Sequence, residues 1–420
     1  MKQTSRITST YSADTMGVCS ALFELGGMTI MHDASGCNST YTTHDEPRWY
    51  DMDSMVYISA LTEMEAIMGD DEKLLGDIEE AVSDLQPKFV AIAGTPIPTM
   101  TGFDFESVAA VAEQRTGVPC FGFATTGMNT YIHGASMAFE ALAKSFVYEP
   151  DKKNEDASER SSHDGENDNN INKKIKVNII GLTPLDFSIN DQDSSIAAWL
   201  EAEGFEVVSR WAMGSSADEI AGAGSADVNL VVSASGIAAA KVLLERFGIP
   251  YLVGVPIGRN QKECILSDLE ELSEEKRESE GLCPDVLKSE CMVEQADITY
   301  DYPERKKEDL VAIIGEGVTS LALANAIELE LDIPTKVICA TECPEGILRS
   351  KDRILPDEED IMSALGGAVI VIADPLYKPI CPAETKFISL PHEAFSGRLY
   401  RSDIPNLVEN SGDFLKMLQI

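Results

Sequence analysis

His32, Asp33, Ser35, Gly36 and Cys37 stand together at the end of the apolar run Met28–Met31, in a stretch from Gly17 to Cys37 that reads GVCSALFELGGMTIMHDASGC. Thiol, imidazole and carboxylate are the side chains that hold transition metals, and thiolate sulfur suits the iron of iron–sulfur centres. Taken alone, Cys37 fits a small half-buried turn residue better than it fits a ligand. Cys19 lies in the same stretch, and Cys120 sits in the strand-like VPCFGFAT. His392, in SLPHEAFSGR, falls on a loop after a strand, where an imidazole serves as proton donor, ligand or structural hydrogen-bonding group. His44, in TTHDEPRW, reads as a surface or interface residue, and His133 as a helix cap.

Cys339 and Cys343 form a CxxxC pair whose second member precedes Pro344; neither a second pair nor a nearby histidine completes a zinc set, and the CxxC redox spacing is not matched. Packing thiols describe this pair, and also Cys264, Cys283 and Cys291. Gly315-Glu316-Gly317 after a strand suggests a dinucleotide loop, but Ser320 stands where the third glycine of GxGxxG belongs, so a tight turn into a helix is the reading adopted. Nucleophile elbow, Walker A loop, HExxH and EF-hand loop are absent, which leaves hydrolase and kinase chemistry without support.

The elements that position these residues repeat three times. GVCSALFEL has helical periodicity, Gly26-Gly27 interrupts it, and Met28–Met31 is a short strand, so the Cys37 turn lies at a strand's carboxyl end, where open α/β sheets bind ligands. The strand Phe89–Ala93 ends in the turn Gly94–Pro98, the helix Phe105–Thr116 follows, then VPCFGFAT and a helix from Gly134 to Val147. KVNIIG with the turn Leu182–Asp186, VNLVVSAS, and GIPYLVGVPIG carry a second unit; DLVAIIGEG, TKVICATECPEG, AVIVIADP and FISLPHEAFSGRLY carry a third. Buried strands alternating with helices predict parallel sheets, and the repetition predicts three Rossmann-like α/β domains rather than one extended sheet. The expected division is 1–148, an N-terminal α/β domain with the Cys37 turn; 149–174, an acidic flexible linker containing His163; 175–262, a second α/β domain; 263–306, an acidic helical connection; and 307–420, a third α/β domain.

A chain of 420 residues with 44% apolar residues is long enough for two to four such cores. No segment approaches the roughly 18 consecutive apolar residues of a membrane span, and MKQTSRITSTYSADTMG lacks the apolar core of a signal peptide. The net charge of −38 repels phosphate backbones and argues against nucleic acid as a partner. Nine scattered cysteines describe reduced thiols rather than a disulfide scaffold. Cytoplasmic localisation is expected.

The order of these pieces resembles the nitrogenase component 1 family, which includes the MoFe-protein subunits, their cofactor-assembly scaffolds, the dark-operative protochlorophyllide reductase and a nickel-tetrapyrrole reductive cyclase. The resemblance is carried by GVCSALFELGGMTIMHDASGC, SALTEMEAIMGDDEKL, PKFVAIAGTPIPTMTGFDFESV, LERFGIPYLVGVPIG, and the late VIADPLYK with SLPHEAFSGR, and it covers nearly the whole chain outside the acidic linker. It implies three Rossmann-like domains, pairing with a homologous subunit or with itself as a dimer or heterotetramer, and an iron–sulfur cluster of 4Fe–4S or related type at the subunit interface. It also implies electron delivery by an ATP-dependent Fe protein, so that no nucleotide is bound by this chain itself.

Carried over residue by residue, the resemblance implies that Cys37 is the cluster ligand ending the family's "H…GC" turn. Cys19 stands displaced from the family's first cysteine, which lies a few residues ahead of the same helix, and Cys120 is the reserve ligand. Thr95-Pro96 occupies the place of the third cysteine, and Val232 to Ser235 the place of the cofactor cysteine. His392 lies near the family's cofactor histidine and is the candidate catalytic residue. The resulting expectation is an oxidoreductase subunit that passes low-potential electrons through a Cys37-centred cluster to a substrate; the alternative is a non-catalytic scaffold that holds a metallocluster or tetrapyrrole.

Overall fold

A strand buried on both faces reads as a near-continuous apolar run, and MTIM, VAIA, VNLV and VAIIG are buried throughout; the buried Asn229 of VNLV accepts from Asn178 Nδ2 at 2.8 Å. The structure is a computed structural model that describes residues 6–7, 10–148, 174–279 and 310–418. Its strands are β1 (Met28–Met31), β2 (Met55–Ile58), β3 (Val90–Ala93), β4 (Cys120–Phe123), β5 (Lys176–Ile180), β6 (Glu206–Arg210), β7 (Val228–Val231), β8 (Tyr251–Val253), β9 (Val311–Gly315), β10 (Thr335–Cys339), β11 (Arg353–Ile354), β12 (Ile370–Ala373) and β13 (Lys386–Ser389). They form three separate sheets, ordered β2-β1-β3-β4, β6-β5-β7-β8 and β11-β10-β9-β12-β13. Every pairing is parallel. The expected architecture of three Rossmann-like units is therefore the observed one.

In each sheet the first strand in chain order lies inside, and the order reverses beside it: between β1 and β3, between β5 and β7, and between β9 and β12. Helices leave on opposite faces at such a point and open a crevice at the carboxyl ends, where ligands of α/β sheets bind. β1 is level with both neighbours, Met28 facing Met55 and Val90, so the ends that carry polar residues are level too.

Local departures from the sequence expectation have simple causes. The turn at Gly94–Pro98 is the entry to a helix, Pro96–Thr101, with proline at its start, where its missing N–H goes unmissed. The helix expected from Gly134 starts at Tyr131. The helix Leu407–Lys416, which follows the third sheet in the chain, packs instead on the helix Gln192–Ala202 of the second unit; Leu407 N donates to Gln192 Oε1 at 3.2 Å. His163, Cys283 and Cys291 lie outside the described residues, as does the linker from 149 to 173.

The helices Asp14–Leu22 and Tyr131–Ser145 cross backbone against backbone. A Cβ at Gly17 would fall 2.0 Å from the Tyr131 carbonyl oxygen, and one at Gly134 would fall 1.8 Å from that of Asp14. The obstacles are main chain, which no rotamer change removes. The second helix also packs on Ile237–Phe247, where Arg246 Nη1 donates to the carbonyl oxygen of Lys144 at 2.8 Å. The first and second units thus share one apolar core. Replacing Gly134 by valine is expected to destabilise the chain by about 1–3 kcal/mol or more, read as a lower urea midpoint for the first unfolding transition; an unchanged midpoint would show that the two helices separate freely.

Candidate functional site

The carboxyl ends of the second and third sheets meet the start of the helix Tyr131–Ser145, and buried polar groups converge there. Asp186 follows β5 on the short helix Pro184–Phe187; one carboxylate oxygen accepts the Tyr131 hydroxyl, the other the Ser233 hydroxyl at 2.7 Å. Ser233 follows β7 across the switch point and lies 3.0 Å from the Ser235 hydroxyl. Glu316 follows β9 and caps the helix Gly317–Leu331, accepting from Val318 N at 3.0 Å and Thr319 N at 2.8 Å. It also accepts from Ala234 N at 3.1 Å, which ties the second unit to the third. The amides a phosphate would use at this glycine-flanked turn are thus taken by the chain's own carboxylate.

Burial and the nearby Asp186 push the Glu316 carboxyl up to about 7, against the three amide bonds that favour its ionised form. Burial and the same Asp186 hold the Tyr131 phenol well above its usual range. His392 Nε2 lies 3.5 Å from Asp186 Oδ1, short of a hydrogen bond, and neither ring nitrogen has a hydrogen-bond partner among the described residues. Its ring stacks on Phe395 at 4.5 Å. Asp374, after β12, fixes the loop by accepting from His392 N and from the Ser396 hydroxyl, each at 2.8 Å; burial raises its carboxyl. His392 therefore lies beside a buried Tyr–Asp–Ser chain, a group that can hold and exchange a proton.

The first sheet ends separately. His32 follows β1, its Nδ1 2.9 Å from the Ser59 hydroxyl and its ring 4.3 Å from that of Phe103; burial lowers its pKa to about 4, so it is neutral near pH 7. Asn38 donates to Asp33 at 3.0 Å across the turn that carries Cys37. The Cys37 thiol is exposed, and slight burial and the Asp33 carboxylate push it up. Cys19 is fully buried among Phe23, Met31, Tyr41 and Val56, and its thiol is raised strongly by that burial. Cys120 opens β4 at the amino edge of the sheet, donates to Val118 O at 3.2 Å, and is pushed up to about 11 by burial. Thr95 spends its hydroxyl on the His32 carbonyl oxygen at 2.9 Å.

Cys37, Cys19 and Cys120 are therefore not brought together: one faces outward at the carboxyl edge, one faces the core, and one sits at the opposite edge. The helix turns Cys19 to the side that carries Phe23 inward, away from Val18 and Leu22, which spacing alone did not separate from a turn outward. Among the described residues no group of three or more His, Cys, Asp or Glu is arranged to hold a metal ion. Of the three, Cys37 has the exposed sulfur, and Cys19 and Cys120 are buried.

The sequence profile of nitrogenase component 1 type oxidoreductases matches residues 14–359, a span that includes both the Cys37 edge and the Asp186–Glu316 junction. The chain belongs to this family. Among its nitrogenase component 1 relatives, the nitrogenase iron-molybdenum cofactor biosynthesis protein NifE of Clostridium pasteurianum is 27% identical over 46% of this chain and 38% of its own length. A light-independent protochlorophyllide reductase polypeptide of Prosthecochloris aestuarii (strain DSM 271 / SK 413) is 32% identical over 25% of this chain and 21% of its own. The chain thus matches well under half the length of these relatives. A solved structure of nitrogenase Cp1 at pH 6.5 superposes with a TM-score of 0.63 at 15% identity, covering 99% of this chain and 93% of that one; at that identity the likeness concerns the fold. No helix among the described residues is long and apolar enough to cross a membrane.

Asp186 and Tyr131 carried no functional expectation, although each lies at a strand exit or helix start. A carboxylate flanked by apolar residues at such an exit, as in LTPLDF, is the available signal. A surface hollow of about 560 Å³ lies instead between the helices Arg259–Ser279 and Gly317–Leu331, lined by Cys264, Glu263 and Asp332 among others. It is shallow and open, without the convergent buried groups of the junction. Because folding raises the Glu316 pKa, protonation favours the folded state. The resulting stability is full below pH about 4.5, declines as pH rises, and is lost above about 7. Urea titrations between pH 4 and 8 are expected to show this decline, on the order of 3 kcal/mol at most, in the wild type and not in Glu316→Gln.

Proposed function

We propose that this chain is one subunit of a nitrogenase component 1-type reductase that takes low-potential electrons from an ATP-dependent Fe protein. In this reading Cys37 is its thiolate toward an iron–sulfur cluster completed by a partner subunit, either a homologue or a second copy. The observation that carries the reading is the setting of Cys37. Leu61 N donates to the Asp33 carbonyl oxygen at 2.8 Å, so the helix Glu63–Met68 starts beside the turn. That helix buries none of its residues: Met64, Ile67 and Met68 are all about two-thirds exposed or more. It packs on the helix Pro96–Thr101, whose Met100 is 86% exposed, and Tyr50 and Tyr57 are exposed nearby in the chain. An apolar rim of this kind marks a protein interface, and a thiol within it would be enclosed once the interface forms.

When bound, such a cluster supplies one-electron transfer at a potential tuned by burial and hydrogen bonds to its sulfurs. Within the reading, Cys37 presents its sulfur and the apolar rim excludes water. At the junction His392 Nε2 and the Tyr131–Asp186 pair hold the protons a reduction consumes. Membership of the nitrogenase component 1 family supports this, since its members bind iron–sulfur clusters and act with partner subunits and an Fe protein.

A second reading, a scaffold that holds a metallocluster or tetrapyrrole without turnover, is favoured by Ser233. At the place where the resemblance puts a cofactor cysteine, this chain has a hydroxyl already engaged with Asp186. Anaerobically purified protein with its partner is expected to contain iron and sulfide that Cys37→Ala loses at least several-fold, while Cys19→Ala and Cys120→Ala keep both. An iron content unchanged in Cys37→Ala would reject the ligand assignment. ATP-dependent substrate reduction with the Fe protein separates the reductase from the scaffold.

A further inference from the structure

We propose that Cys339 and Cys343 form a reversible dithiol–disulfide couple at the three-unit junction, a modification site oxidised by low-molecular-weight disulfides. Cys339 is the last residue of β10 and is fully buried; Cys343, beyond Thr341 and Glu342, is half-buried. Both sulfurs rest against the first residue of the helix Gly317–Leu331. A Cβ at Gly317 would lie 2.7 Å from Cys343 Sγ and 3.5 Å from Cys339 Sγ, so glycine is what lets both thiols occupy this space. Cys339 Sγ is also 3.4 Å from the Thr341 carbonyl oxygen and 3.6 Å from its hydroxyl.

The neighbouring Cys343 draws the Cys339 thiol below its usual range, while Cys339 and burial push the Cys343 thiol up. Both sulfurs lie against the same glycine and so beside each other. Two adjoining thiols with no third metal-binding group arranged beside them suit sulfur–sulfur bonding better than tetrahedral metal binding.

The exchange is balanced by the external disulfide. Cys343, the more accessible sulfur, gives up its proton and attacks one sulfur of the reagent as a thiolate; the reagent's bond breaks and its first half leaves as a thiol with that proton. Cys339 then attacks Cys343 Sγ, and the second half leaves as a thiol with the remaining proton. Two cysteine thiols are oxidised and one disulfide is reduced to two thiols. Oxidation removes an ionisable thiol that faces Tyr131 and Glu316, so the couple acts on the junction. The inference stands apart from the reductase reading, because it requires neither a cluster nor a partner.

The full chain, reduced and then titrated with glutathione disulfide without oxygen, is to be alkylated, digested with trypsin and weighed. The peptide Val337–Arg349 contains these two cysteines and no other. Its two alkylatable thiols are expected to disappear together, leaving a peptide lighter by two hydrogens that dithiothreitol restores. Cys339→Ser should stop at a glutathione adduct on Cys343. A wild-type peptide that keeps both thiols while exposed Cys37 is fully converted, or that halts at the single adduct, would overturn the proposal without reference to any variant's folding.

Discussion

Two helices that touch main chain to main chain set the geometry on which the rest depends. Where Gly17 and Gly134 meet, no side chain separates Asp14–Leu22 from Tyr131–Ser145, so each helix start is placed by the other's carbonyl groups. The Asp14 carboxylate then accepts from Gly127 N at 2.7 Å and Thr126 N at 3.0 Å, holding the loop that leads into the second helix. That loop delivers Tyr131, and its hydroxyl reaches Asp186 of the next unit. A local steric condition in the first unit thereby aligns a side chain in the second.

Electrostatics at the junction run against the chain's overall charge. A protein of net charge −38 buries Asp186, Glu316 and Asp374 near one another rather than leaving all its carboxylates in water. Burying an ionised carboxylate is costly unless donors surround it. Each of the three has them: hydroxyls for Asp186, backbone amides for Glu316, two amides and a hydroxyl for Asp374. Glu316 compensates incompletely, because it is fully buried and Asp186 is close, and its carboxyl is pushed up to about 7. Placing such groups on short strand-to-helix turns gives each a rigid backbone and a shared low-dielectric setting.

The thiols divide according to secondary structure. Cys19 and Cys120 lie inside a helix and at a strand start, and their neighbours are apolar. Cys37 lies in a turn, which leaves it at the surface of an uncovered rim. Cys339 and Cys343 straddle the exit of β10, so that one is core and the other reaches the junction. Sequence distance says little about this sorting, whereas position relative to a strand end says most of it.

Strand identity, parallel pairing and the threefold repetition were legible in the sequence, because runs such as VAIA and VAIIG admit few other environments and the connecting helices are long enough to cross over. The Cys37 turn at a strand exit was legible for the same reason. The facing of Cys19 was not, since a helix of nearly all buried residues has no polar face to mark its orientation. Nor was the meeting of Tyr131, Asp186, Ser233, Glu316 and His392, which come from five separate strand exits and helix starts and are assembled only by packing between units. The sequence alone determined the elements and the chemistry available at their ends. Which ends meet was decided by the tertiary structure, through a glycine contact that permits two helices to touch and hydrogen bonds that join residues far apart in the chain.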